Sequence, residues 1–143
     1  MHKKERIRVT KDINCKNMFL NEWSSYIMEC RALTANQNPE TNRKFLEQLE
    51  ETKKKLEAFA HSPDTLSCEE GTMEELVCML EKLRLEELDQ LLNGFNMHIK
   101  IVKALAANEK NEKDKALMDN TVFDCETILS HLVRIFGVTL VEG

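Results

Sequence analysis

The sequence predicts an all-α fold, a single compact bundle of about five to six amphipathic helices. Apolar residues recur at steps of three and four from Met18 to Phe136, the spacing that places them on one face of a helix. Only 4 Gly and 2 Pro interrupt 143 residues, which leaves few breaks for a fold of strands and turns. The length and the 42% hydrophobic content suit one core. We expect one bundle domain at residues 16–143, with an arm at residues 1–15 and an internal loop at residues 61–71.

The N-terminal arm has two interpretations. Charged and apolar residues alternate from Arg6 to Val9, which suits a short extended segment, and a frayed terminus fits equally well. The first helix is predicted at residues 16–33. Its apolar stripe consists of Phe19, Trp23, Tyr26, Ile27, Cys30 and Leu33.

Local signals mark both ends of the second helix. Asn38 is a good N-cap, and Pro39 suits the first helical position because its missing N–H needs no partner there. The pair Ser62-Pro63 ends the helix, since proline disfavours α geometry in the residue before it. The stripe of this helix consists of Phe45, Leu46, Leu49, Thr52, Leu56 and Phe59.

The third helix is predicted to begin at Thr72, where Thr72 and Glu75 match the capping box T-x-x-E. Two leucine-rich stripes follow in different phases, and a bend or a new helix near Arg84 would reconcile them. The first stripe contains Leu76, Val77, Leu80 and Leu83, and the second contains Leu85, Leu88, Leu91, Leu92 and Phe95.

The remaining helices are predicted from glycine caps and apolar spacing. Asn93-Gly94 has the composition of a helix C-terminus, so a further helix is expected at residues 96–107. Residues 108–115 are expected to form a loop or a solvated first turn, and one helix or a helix pair to cover residues 116–136. Gly137 can cap that end, and Val138 and Leu140 can fold back on it.

The sequence shows no set of residues with the spacing of a catalytic or metal-binding site. We therefore expect a non-enzymatic protein without cofactor or metal. The five cysteines are odd in number and no two are closer than ten residues, which argues against a zinc site and a disulfide framework. Cys125 and His131 lie six positions apart and would face different sides of a helix. The carboxylates fall between leucines at amphipathic spacing, as on a solvated face.

Charge divides the chain into two unlike halves. Residues 1–60 hold 12 Lys and Arg and 9 Asp and Glu, whereas residues 61–143 hold 8 and 16. The single dense basic cluster, at residues 3–11, has no aromatic residues beside it for base stacking, so nucleic-acid binding is disfavoured. No apolar run approaches the ~20 residues that span a bilayer, and the N-terminal residues are charged. We expect no membrane association and a cytoplasmic or nuclear location.

The leading functional hypothesis is an adaptor or regulatory domain that docks a partner peptide or helix in an apolar groove between helices. Seven methionines are many for this length, and thioether side chains adapt to irregular partners. The segment from Leu88 to Leu92 also fits the L-x-x-L-L pattern of coactivator helices, although core packing is the simpler interpretation. The candidate partner-binding residues are Met18, Trp23, Met28, Met79, Leu88, Leu91, Leu92, Met97 and Met118.

Two alternatives stay open. A structural subunit would bury a surplus apolar face against its own copy or a fixed partner. In addition, the apolar spacing from Leu76 to Phe136 resembles the N-terminal helical bundle of the elongation factor TFIIS, a family that includes the integrase-binding domain of LEDGF. The resemblance implies binding of short disordered motifs from transcription factors. This sequence lacks the family's basic stretch and its C-terminal Trp, near whose place Phe136 stands.

Overall fold

The computed structural model describes residues 13–35 and 39–141, and in these ranges every regular element is a helix. The all-α bundle predicted from the sequence is confirmed. The six helices are α1 (Cys15–Thr34), α2 (Pro39–Ala60), α3 (Pro63–Leu66), α4 (Met73–Leu80), α5 (Leu85–Asn108) and α6 (Glu112–Phe136). None of the helices in this part of the chain is both long and apolar enough to cross a membrane.

Helix α1 lies at the centre of the bundle and packs against α2, α4 and α5, while α6 packs along α5. The predicted stripe of α1 is buried apart from Leu33, which is exposed at the C-terminal end. Phe19 stacks on Phe95 of α5, with ring centroids 4.5 Å apart and planes 11° from parallel. Both rings are fully buried in the hydrophobic core.

The first helix begins one residue earlier than predicted. Asn14 caps it by accepting a hydrogen bond from the Asn17 N–H at 3.0 Å, and the Cys15 N–H donates to the Gly71 carbonyl at 3.0 Å. The predicted arm therefore ends at Asn14. Residues 1–12 lie outside the described residues, so the choice between an extended arm and a frayed terminus stays a prediction.

The second helix has the predicted ends, from Pro39 to Ala60, although its expected cap Asn38 lies outside the described residues. The predicted loop at residues 61–71 was wrong in part, because it contains the single-turn helix α3. Ser62 is extended and Pro63 occupies the first turn of α3, so the proline that ends one helix starts the next.

The cap of α4 has the predicted residues, but the capping box forms only in part, because the Glu75 carboxylate accepts from the Gly71 N–H rather than from that of Thr72. The Thr72 hydroxyl accepts from the Glu75 N–H at 3.2 Å and donates to the Glu69 carbonyl at 2.7 Å. The Glu75 carboxylate accepts from the Gly71 N–H at 2.9 Å and pairs with Lys16 of α1 at 3.1 Å. This buried carboxylate therefore joins the start of α4 to the start of α1.

Replacing the capping hydroxyl should weaken the fold measurably. We expect Thr72→Ala to lower the free energy of unfolding by about 1 kcal/mol, the usual cost of a lost N-cap. Urea unfolding followed by far-UV circular dichroism measures the change. Thr72→Ser keeps the hydroxyl and serves as the control, and equal losses in the two variants would contradict the capping role.

The two leucine phases have the predicted explanation, since α4 ends at Leu80 and a new helix begins at Leu85. Both stripes contribute to one core, and Leu76, Leu80, Leu88, Leu91 and Leu92 are all buried. Leu85 is the one residue of the second stripe that is exposed, at 71%, so the change of phase leaves no continuous second apolar face along these leucines.

The predicted helix end at Asn93-Gly94 is wrong, because α5 continues through both residues to Asn108. A Cβ atom at Gly94 would lie 3.0 Å from Cη2 of Trp23 and 3.3 Å from Cε2 of Tyr26. The glycine thus allows α5 to approach the rings of α1 closely, and it does not adopt a left-handed conformation.

The last helix is one helix rather than a pair, and it begins at Glu112, before the predicted residue 116. Asn111 caps it by accepting from the N–H groups of Lys113 and Asp114. At the other end, the predicted cap Gly137 is confirmed with a φ of 67°. Val138 is buried and Leu140 packs against the core, so the chain folds back as predicted.

Candidate partner-binding groove

A groove of about 380 Å³ lies between α1, α2, α5 and the C-terminal segment. Its volume is in the range of small binding sites in proteins, and it is open along one side. Apolar and uncharged polar side chains provide most of its surface. The lining residues are Trp23, Tyr26, Phe45, Gln48, Leu49, Thr52, Asp89, Gln90, Leu91, Asn93, Gly94, Met97 and Val141.

The floor of the groove is held rigidly. Trp23 is only 2% exposed, and its indole N–H donates to the Leu49 carbonyl of α2 at 3.2 Å. Tyr26 lies beside it, with ring centroids 5.4 Å apart. Because both rings also press against Gly94, three helices fix the position of this floor.

The edges of the groove carry exposed apolar side chains. Phe45 of α2 is 39% exposed, Met97 of α5 is 45% exposed and Val141 of the tail is 70% exposed. Scattered exposed apolar residues are normal on a protein surface, but three around one concavity are typical of a contact site. Of the described residues that line the groove, Asp89 is the one that carries a charge.

The C-terminal segment forms part of the groove wall, where Val141 is a lining residue. The Val141 N–H donates to the Asn93 side-chain oxygen at 2.7 Å, while Val138 anchors the segment in the core. A side-chain amide in this part of the groove thus bonds to the backbone of the C-terminal segment.

The structure brings three of the nine predicted partner-binding residues together, since Trp23, Leu91 and Met97 all line the groove. Of these, Met97 alone is well exposed. Met79, Leu88 and Leu92 are at most 3% exposed and lie in the core, beyond the reach of a partner. All three leucines of the L-x-x-L-L segment are therefore buried, as the core-packing interpretation expects.

The other three methionines are separate from the groove. Met28 is 70% exposed on α1, Met18 packs against the core, and Met118 is half-buried on α6. Sequence reasoning treated the methionines as one set. They do not form a common surface in the groove.

Sequence reasoning missed Phe45, Gln48, Asn93 and Val141 as groove residues. The apolar spacing of α2 predicts an inward position for Phe45, and its helical phase alone cannot show that the side chain is 39% exposed at the groove. Val141 lies beyond the last helix, where periodicity gives no signal. In the sequence, Gln48 of α2 and Asn93 of α5 resemble ordinary solvent-exposed polar residues.

A larger open concavity of about 600 Å³ lies between the end of α1 and the first turns of α2. It is lined mainly by charged and polar side chains, and the ion pair of Arg31 with Glu50 spans it at 3.1 Å. We therefore take the groove beneath Phe45 and Met97 as the candidate site.

A buried polar cluster joins α1 to α5 below the surface. His98 is 1% exposed, and its Nδ1 and Nε2 lie 2.7 Å from carboxylate oxygens of Glu29 and Glu22, respectively. Burial alone lowers the pKa of His98, but the hydrogen bonds and charges of Glu22 and Glu29 outweigh it and raise the pKa to about 9. The imidazole is thus a cation that donates one N–H to each carboxylate, and these hydrogen bonds link α5 to α1.

The described residues offer little support for a metal site or a cysteine nucleophile. No group of three or more His, Cys, Asp or Glu side chains there could hold a metal ion, and no buried side-chain nitrogen or oxygen lacks a partner. Burial raises the pKa of the Cys125 thiol, with Glu22 and Asp124 adding to the effect. A protonated, buried thiol is a poor nucleophile.

Comparisons of this chain with family models, curated proteins and solved structures find no match. The resemblance to the TFIIS N-terminal bundle therefore stays a prediction from apolar spacing.

Proposed function

We propose that this protein is a non-catalytic adaptor or regulatory domain whose groove binds a short apolar segment of a partner protein. The observation that supports it most strongly is the combination of a rigid aromatic floor with the exposed edges Phe45, Met97 and Val141. Aromatic and methionine side chains around a preformed concavity favour peptide docking, because little order is lost when the partner binds.

The chemistry of the partner segment follows from the edges of the groove. Apolar side chains would cover Phe45 and Met97, and a Lys or Arg beside them would face Asp89. Amide groups of Gln48 and Gln90 offer hydrogen bonds to a peptide backbone, as the Asn93 amide does for Val141 within the chain. The proposed occupant is therefore a short apolar peptide with a flanking basic residue.

A selection from a library of short random peptides tests this proposal with a defined probe. We expect bound peptides to be rich in apolar residues with a flanking Lys or Arg. Trp23 is the single Trp of the chain and forms the floor, so peptide binding should change its fluorescence. Met97→Ser and Phe45→Ser should each weaken binding by about tenfold or more, as expected for an apolar anchor.

The matched control is Leu105→Ser, which makes a similar change on the same helix as Met97. Leu105 is 52% exposed and does not line the groove, so its replacement should leave peptide affinity unchanged. Equal affinity for the wild type, Met97→Ser and Phe45→Ser would show that the peptides bind elsewhere and would refute the groove. Proteins captured from a cell lysate by the wild type and lost with Met97→Ser would then name natural partners.

Self-assembly is the second candidate function. It was suggested by the two leucine stripes on either side of Arg84, and most residues of both stripes lie in one core. Measurement of molecular mass over a range of concentrations tests it directly. A mass that rises with concentration in the wild type and in Met97→Ser alike would favour a structural subunit over the adaptor.

A further inference from the structure

Two cysteines lie in contact at the edge of the bundle. Cys68 follows α3 and Cys78 lies on α4, and their sulfur atoms are 3.2 Å apart. Both side chains are partly exposed, whereas Cys15, Cys30 and Cys125 are buried. The sequence separation of ten gave no reason to pair them, because the turn that brings them together is formed by α3 and the Thr72 cap.

We propose that Cys68 and Cys78 are a redox-modification site that forms a reversible intramolecular disulfide. A disulfide needs its sulfur atoms about 2.05 Å apart, so the two side chains must close by a little over one ångström. Cys68 stands in an exposed turn after a single-turn helix, where a shift of this size requires no movement in the core. Partial exposure also lets an oxidant reach the sulfur atoms.

The hydrogen bonds give the two thiols different roles. Cys68 is within 3.5 Å of the Asp64 carbonyl, to which it donates, and the hydrogen bond to Cys68, followed by burial, raises the pKa of Cys78 to about 11. Cys78 therefore keeps its proton in the contact with Cys68, and we assign the first attack to Cys68, which stands in the exposed turn. Attack by the Cys68 thiolate on oxidised glutathione forms a mixed disulfide and releases one glutathione thiolate.

The second step closes the intramolecular bond. Cys78 loses its proton to solvent, and its sulfur attacks the Cys68 sulfur of the mixed disulfide, releasing the second glutathione as a thiolate. Two cysteine thiols are oxidised, and one low-molecular-weight disulfide is reduced to two thiols. The charges of Glu74 and Glu81 also raise the pKa of Cys78, so we expect exchange over minutes to hours rather than rapid turnover.

The bond would tie together a segment that supports α1. The turn between the two cysteines contains Gly71, whose carbonyl accepts the Cys15 N–H, and Glu75 follows on α4 to pair with Lys16. Cross-linking this short loop restricts the unfolded chain. We therefore expect the oxidised protein to unfold at a higher urea concentration than the reduced protein.

The test uses the full chain in mixtures of reduced and oxidised glutathione, followed by acid trapping, alkylation in denaturant and intact-mass measurement. The mass of the wild type should fall by two hydrogens, and three of its five cysteines should react with the alkylating reagent. Peptide mapping should place the disulfide between Cys68 and Cys78. In Cys78→Ser the second thiol is missing, so Cys68 should instead carry one glutathione. The double variant Cys68→Ser/Cys78→Ser should show neither product under the same conditions.

Three results would overturn the proposal. The wild type could stay reduced in mixtures that attach glutathione to Cys68 in Cys78→Ser. It could instead accumulate glutathione on Cys68 and Cys78 separately. A disulfide that includes Cys15, Cys30 or Cys125 would also refute the pairing, because those thiols are buried and react only after unfolding.

Discussion

Phe95→Ala should lower the free energy of unfolding by about 3–5 kcal/mol, the usual cost of removing a large buried aromatic side chain. Phe95 is fully buried and stacks on Phe19 at 4.5 Å, so its loss leaves a cavity between α1 and α5. The surrounding helices are held by other contacts and can close that cavity only in part. Urea unfolding followed by far-UV circular dichroism gives the difference.

The control for this variant is Phe45→Ala, which makes the same chemical change at the edge of the groove. Phe45 is 39% exposed, so we expect a loss below about 1 kcal/mol. Similar losses in the two variants would contradict the division between core and groove.

His98→Gln should cost a similar amount, about 3–5 kcal/mol, because it leaves two carboxylates without their shared cation. Glu22 and Glu29 each accept a hydrogen bond from the imidazolium at 2.7 Å. A glutamine amide donates from one nitrogen only and carries no charge. The double variant His98→Gln/Glu29→Gln removes one unpaired carboxylate, so it should recover part of the loss.

The stability of the wild type should also depend on pH through His98. The folded pKa of about 9 lies above the ordinary 6.5, so the contribution is complete below about pH 6.5 and disappears as the pH rises through 9. The full shift corresponds to about 3 kcal/mol at about 1.4 kcal/mol per pH unit.

The buried thiols affect the same experiment at higher pH. Burial raises the pKa of Cys15, Cys30 and Cys125, so their contributions also decline above their ordinary value of 9.0. The difference between wild type and His98→Gln in the window from pH 6.5 to 8.5 isolates the histidine. A difference that stays constant across this window would contradict a charged His98.

Local chemistry made much of the fold predictable from the sequence. Pro39, Thr72 and Gly137 act on the backbone within a few residues of themselves, so their signals are complete in the sequence. The pair Asn93-Gly94 has the residue types of a helix C-terminus. The role of Gly94 is instead to admit the ring of Trp23, which lies 71 positions away in the sequence. A glycine that caps a helix and one that admits a neighbouring ring cannot be distinguished by position alone.

The candidate site was predictable only in part for the same reason. Trp23 and Met97 are predicted from their residue types and Leu91 from the L-x-x-L-L pattern, but whether each faces a core or a groove depends on contacts with other helices. His98 bonds to residues 69 and 76 positions away, which no local pattern indicates. The groove and the His98 cluster therefore depend on contacts between residues that are far apart in the sequence.

The histidine cluster also has a consequence for how α1 and α5 align. Glu22 and Glu29 are seven residues apart, or roughly 10.5 Å along the helix axis, and the imidazole lies between them with one nitrogen turned to each. If α5 slid along α1 by one residue, about 1.5 Å, one of these hydrogen bonds would stretch as the other became compressed. Apolar side chains can follow such a slide by changing rotamer. His98 instead fixes the axial register of the two helices, and with it the position of Met97 above the floor of the groove.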